Sequence, residues 1–269
     1  MAKTAQPAPR NEKAAAARKQ AQAQVRAEQR RTTALWILAG VVLVGVFAAI
    51  ILYIVNQSSV NTNFAEEQKS PAIATAAGGI PVGAGGVAGE GLDPDRVQFA
   101  VYLDFLCSVC QAFEQINGAE LKAITEEGLA DVTYHPVAIL DRESAGTRYS
   151  TRAASAAALV ADRSPEHFLA YVELLFVNRP EYNTRGLTDA QLTEFAIQVG
   201  VPEEIANDIS KHEYAQWVTS ATERASRDGM TGTPTIALNG AMQDPRNDPN
   251  AIDWSQPGAI RAAIIAAAE

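Results

Sequence analysis

The sequence predicts an α/β domain interrupted by a long helical block and preceded by one apolar helix. Three observations carry that expectation. Residues 34–55 form a run of 22 without a charge. Two β-branched and aromatic stretches, Val97 to Phe105 and Ala130 to Ile139, flank a helical pattern. After helical sequence over about 141–228, a strand-turn-strand signal and an apolar helix close the chain.

The apolar run comes first. As a helix it spans roughly 33 Å, enough for a bilayer core. Trp36 and Tyr53 sit near its ends, where aromatic belts form, and Arg30 and Arg31 precede it. It is longer than a signal-peptide core of about 7–15 residues, and no clean small-x-small site follows, so it reads as an uncleaved anchor. Basic flanks stay inside, so the expectation is a single-pass cell-membrane protein with a cytoplasmic N-terminus and residues 56–269 outside. The charge agrees. Residues 1–31 hold eight Lys/Arg and two acids, +6, so the rest carries −15 of the overall −9. Residues 1–33 therefore read as a solvated basic tail, with anionic lipid headgroups as a plausible contact. The acidic remainder argues against nucleic acid as a partner.

Residues 56–94 read as a flexible linker, polar at first and then with seven glycines in 78–91. Ile80, Val82 and Val87 could mark a short edge strand within it. The folded domain is expected over 95–269. Val97 to Phe105 is a buried strand. Cys107 to Ile116 starts a helix, which Ala119 to Glu127 continues or follows with a second. Ala130 to Ile139 is a strand in which Pro136 suggests an edge or an irregularity. Helices follow at Thr147 to Ala161, at Pro165 to Phe176 behind a Ser164 cap, at Thr188 to Val199 before Gly200, and over Glu203 to Ser226. Pro234 to Leu238 is a strand, Asn239-Gly240 a hairpin turn, and Pro257 to Ala268 the last helix.

The two cysteines of the chain both lie in Cys107-Ser108-Val109-Cys110, after a strand and at a helix start. The helix N-terminus aims N–H groups and partial positive charge at the first thiol, which favours its thiolate. Cys110 stands one turn on, within reach of a mixed disulfide at Cys107. A structural disulfide here would close too short a loop to stabilise much. A zinc site lacks ligands, since only His135, His167 and His212 could join, so no metal and no cofactor is expected. Thiol–disulfide redox chemistry is the reading that remains. His135 reads as a structural strand residue, His167 and His212 as surface residues, and Trp217 and Trp254 as core or groove wall.

Thr231-Gly232-Thr233-Pro234-Thr235 precedes the closing strands, with Thr233 held extended by its proline. Taken with Tyr102-Leu103-Asp104-Phe105-Leu106-Cys107-Ser108-Val109-Cys110 and Phe113, it resembles the thioredoxin superfamily, DsbA-like branch. Asp141-Arg142-Glu143-Ser144 and Tyr149 to Ala154 resemble its membrane-anchored actinobacterial members. The resemblance covers roughly residues 95–269. It implies a thioredoxin fold with an inserted helical domain, Cys107 as exposed nucleophile and Cys110 as buried resolving thiol. It also implies a cis Thr233–Pro234 bond opposite them, where Thr233 and Pro234 bind an extended substrate peptide.

Two features depart from the family. Ser108 and Val109 replace its usual Pro and His, so no imidazole adjoins the thiolate. Val101 stands where a buried acid is common, and Asp104, three residues before Cys107, is not expected to replace it. The function expected is an extracytoplasmic oxidase that donates disulfides to exported protein thiols and is reoxidised by a quinone-linked DsbB-like or VKOR-like membrane protein. A reductase or isomerase on the same fold, or a non-redox peptide-binding envelope module, are the alternatives.

Overall fold

The computed structural model describes residues 33, 35–51, 69–83, 85–90, 92–245 and 248–269. The chain divides into two units, 1–58 and 59–269. In the first, residues 35–51 are helical (α1), with large apolar side chains such as Trp36 and Leu43 exposed. Among the described residues no helix is long and apolar enough to cross a membrane. Residues 34 and 52–55 of the uncharged run, and nearly all of the basic tail, lie outside the described residues.

The second unit is built on a five-stranded sheet, order β1-β3-β2-β4-β5. β2 (Val97–Leu103) is central, parallel to β3 (Ala130–Pro136) and antiparallel to β4 (Thr235–Leu238). β1 (Ile80–Val82) and β5 (Ala241–Gln243) are the antiparallel edges. The period-two alternation of a strand explains β2. Phe99, Val101 and Leu103 join the main core with Phe113, Leu121 and Ile124 of the helix α2 (Ser108–Glu126), whereas Tyr102 packs with Ala225 and Met230, beside Ala100. The sheet is thus covered on both faces.

β1 bears out the short edge strand suggested at Ile80 and Val82 and shortens the expected linker. Ile80 and Val82 are fully buried and pair with Tyr134 and Val132, so sheet begins well before residue 95. Gly79 is there for close approach: a Cβ on it would lie 2.3 Å from the Thr133 methyl. With β1 outside it, β3 is no edge strand, and Pro136 simply ends it.

Elsewhere the elements follow the sequence with shifted ends. α2 is one continuous helix. α3 (Tyr149–Arg163) is buried along nearly its whole length, which its run of alanines permits. Pro165 opens a 3-10 turn, Pro165–His167, rather than the helix α4 (Phe168–Val177), and the Ser164 hydroxyl bonds His167 Nδ1 (2.8 Å) instead of capping a backbone N–H. α5 (Asp189–Gln198) starts with a capping box: Gln191 N–H donates to Thr188 Oγ1, and Thr188 N–H to Gln191 Oε1. The Glu203 to Ser226 stretch divides into α6 (Glu203–Ala206), a 3-10 turn and α7 (Ala215–Arg227).

The break before α7 is at His212, whose φ of 48° is left-handed. His212 is buried, not a surface residue as expected, because its ring meets Asp189 (Nε2 to Oδ2, 3.2 Å), which also receives the fully buried Arg152 (2.8 Å). The Asn239-Gly240 turn has positive φ at both residues, as a two-residue hairpin requires. α8 (Ala259–Ala267) ends the fold.

Candidate active site

β2 delivers its C-terminal end to the start of α2, and the connection Asp104-Phe105-Leu106 is buried. Cys107 is the N-cap of α2, in extended conformation, and the Cys110 N–H donates to its Sγ at 3.2 Å. The first turn of α2 carries no acid to oppose a thiolate. Both cysteines are free thiols. Cys110 is wholly buried, as expected; Cys107 is only 4% exposed, more covered than the expected open nucleophile.

What covers it comes from two directions. The register Tyr102↔Thr235 between β2 and β4 brings Thr233-Pro234 across from the cysteines. The Thr233–Pro234 bond is cis, and Cys107 Sγ lies 3.4 Å from the Thr233 carbonyl oxygen, to which it donates only when protonated. The Thr235 hydroxyl fixes this turn on the Gly232 carbonyl (2.7 Å). From the helical block, the chain after α4 reaches over. Tyr182 Oη accepts from Ser108 N–H (2.9 Å) and donates to Ser108 Oγ (3.2 Å). Arg179 donates to the Leu106 carbonyl (3.3 Å) and Gln111 Oε1 (3.2 Å), with its guanidinium over the Tyr182 ring.

The two thiols are driven apart electrostatically. Cys107 is held down to about 6, first by a hydrogen bond from the Cys110 thiol, against the effect of burial, with help from the Thr233 side chain and the N–H groups of Cys110 and Val109. Burial pushes Cys110 well up, and donating its proton to Cys107 adds to this. The missing imidazole is thus replaced by donors from the motif itself and from Thr233.

Asp104 was not expected to stand in for the buried acid common in the family. It is fully buried, and burial pushes its carboxyl up to about 7. Three donors hold it: Leu106 N–H (2.9 Å) and Ser150 Oγ (2.7 Å) on Oδ1, Leu140 N–H (3.0 Å) on Oδ2. A buried carboxyl thus stands near Cys107, with its hydrogen bonds taken up by Leu106, Leu140 and Ser150. His135 is structural, stacked on Tyr102 at 4.2 Å and pushed down to about 4 by burial.

A cleft of ≈ 320 Å³ opens beside the pair, lined by Val109, Gly232, Thr233, Pro234, Met242 and Trp254. Trp254 is a groove wall, as expected, tied to α2 by its ring against Phe113 (5.4 Å) and its carbonyl on Asn117 (3.1 Å). Among the described residues no group of three or more His, Cys, Asp or Glu is arranged to hold a metal. The site can exchange disulfides: an ionised sulfur, a protonated sulfur behind it, and the cis Thr233–Pro234 turn across from them.

Comparison with known proteins gives the same chemistry. A family profile described as Thioredoxin matches residues 94–253. No curated protein matches the sequence. Among solved structures, reduced DsbA from Mycobacterium tuberculosis is similar at 27% identity and TM-score 0.56, covering 70% of this chain and 90% of that one. The reduced disulfide bond oxidoreductase DsbG of Mycobacterium tuberculosis is similar at 28% and 0.58, covering 71% and 88%. MdbA, a thiol-disulfide oxidoreductase from Actinomyces oris, shares the fold at 19% and 0.57, covering 78% and 97%.

Proposed function

This chain belongs to the thioredoxin family and is a thiol–disulfide oxidoreductase of DsbA type, and we propose that it works outside the cytoplasm as an oxidase, donating disulfides to exported proteins. The observation that carries the oxidase direction is the split between the thiols, Cys107 down to about 6 and Cys110 well up. A stabilised Cys107 thiolate stabilises the reduced pair, and a stabilised reduced form makes a strong oxidant.

The steps follow. A substrate thiolate attacks Cys107 Sγ of the Cys107–Cys110 disulfide, forming a mixed disulfide while Cys110 leaves and takes up a proton. The substrate's second thiolate then attacks its own sulfur in the mixed disulfide. Cys107 leaves as thiolate, fast because its pKa is low. Two electrons have passed from substrate to enzyme. The substrate lies extended in the cleft, its backbone on the edge at Thr233 and Pro234. The reduced pair then passes its electrons to a quinone-linked DsbB-like or VKOR-like membrane partner.

We further propose that residues 34–55 anchor the chain with its N-terminus in the cytoplasm. The uncharged run, Arg30 and Arg31 before it, and the exposed apolar side chains of α1 support this reading.

The test is the reduction potential of the pair, measured on the full chain in detergent by thiol–disulfide equilibration. A value near that of DsbA, about −120 mV, supports the oxidase; one near that of thioredoxin, about −270 mV, makes it a reductase.

A further inference from the structure

A second cleft, of ≈ 540 Å³, lies between α2 and α4. Its chemistry has no part in the disulfide exchange above. Its wall is apolar at Leu169, Phe176 and Val177, with Tyr134 also lining it, and two carboxylates, Glu114 of α2 and Glu173 of α4, open into it. Glu114 Oε2 is shut off from solvent and meets no hydrogen-bond partner among the described residues. The missing side chain at Gly118 makes room for this carboxyl, since a Cβ there would come 2.5 Å from Glu114 Oε1. A buried carboxylate with an unsatisfied oxygen and a second carboxylate facing it is costly unless a cation joins them.

We propose that this cleft binds a primary ammonium group carried on an apolar stem, with Glu114 and Glu173 holding the charge and Leu169, Phe176 and Val177 lining the stem. The volume is that of a small-molecule site rather than of a bare ion. Metal is disfavoured by donor count, because no three metal-ligating side chains converge among the described residues. An ammonium brings three donors and no acceptor, which matches the two carboxylates, Glu114 and Glu173.

The groups facing the cleft are Glu114 and Lys122 on α2, Glu173 on α4 and Tyr134 on β3. The Lys122 ammonium lies 3.9 Å from Glu126 Oε1. Burial first, and then Glu173, pushes the Glu114 carboxyl up to about 7. A bound cation holds Glu114 ionised, so binding releases a proton and affinity rises with pH through that value.

Calorimetric titration of the full chain in detergent, at pH 6 and pH 8, tests the site. Hexylammonium is expected to bind, more tightly at pH 8, and hexanoate not to bind. Glu114→Gln and Glu173→Gln should each weaken hexylammonium about tenfold or more. Glu114→Gln should also raise the thermal midpoint of the free protein, since it removes the unsatisfied charge. Replacing Cys107 and Cys110 by Ser should leave binding unchanged, which separates this site from the redox reading. Tighter binding of Nα-acetyl-lysine methylamide than of cadaverine assigns the group to a protein side chain; the reverse assigns it to a free diamine. Equal heats from hexylammonium and hexanoate, binding that survives both Gln substitutions, or no amine binding in the millimolar range overturns the proposal.

Discussion

Replacing Cys110 by Ala removes the strongest of the interactions that keep Cys107 ionised, the hydrogen bond from the Cys110 thiol. The backbone N–H groups of Cys110 and Val109 and the Thr233 side chain remain. A hydrogen bond to a charged group contributes about 1.5–3 kcal/mol, and one pKa unit corresponds to about 1.36 kcal/mol. Cys107, now at about 6, should therefore rise by about 1–2 units. At neutral pH its population shifts from mostly thiolate toward mostly thiol. Cys110→Ser keeps a donor in place and should hold Cys107 near its present value. The assay is thiolate ultraviolet absorbance against pH, checked by the pH dependence of alkylation rate. If the Ala variant titrates with the parent, the thiol–thiolate hydrogen bond is not what depresses Cys107.

Asp104→Asn should flatten the pH dependence of stability. The Asp104 carboxyl is raised to about 7 in the fold, above its unfolded value of about 3.9. The folded state therefore binds the extra proton, and stability falls as pH rises between those values. Thermal midpoints at pH 5 and pH 8 should converge in the variant, whatever their absolute level. Arg152→Met strips the buried Asp189 of its guanidinium partner and should destabilise by about 3–5 kcal/mol in urea unfolding; an unchanged midpoint would remove the pair from the stability argument. Ala157→Leu forces bulk into the fully buried α3 and should destabilise by about 1–3 kcal/mol by the same measurement.

What was legible in the sequence is what local chemistry specifies. The cysteine pair, the Gly232-Thr233-Pro234-Thr235 turn and the Asn239-Gly240 hairpin all stand where their residues imply, because spacing and turn geometry act over a few positions. What escaped depends on partners far along the chain. Ile80 and Val82 suggested an edge strand, but nothing around them announces Tyr134 and Val132, and the glycines beside them read as linker until the neighbour they must approach is known. His212 looks like a surface histidine until Asp189 arrives from another helix. Asp104 depends on distant neighbours too: the inserted block helps to bury it, which raises its carboxyl, while Ser150 and Leu140 donate hydrogen bonds that pull the other way. Tyr182 and Arg179 carry no local signature at all, yet they close over the first turn of α2.

The sheet ends on both sides in three-residue strands, β1 and β5. An enzyme that handles protein thiols meets loose, unfolded chains at close quarters, and any long bare strand on its flank would invite them to zip on and stay. Edges this brief offer a visitor little to copy. On the function proposed above, a guest meets instead the turn at Thr233 and Pro234, where its stay ends with sulfur exchange. Brevity at the rim keeps the enzyme a catalyst instead of a seed.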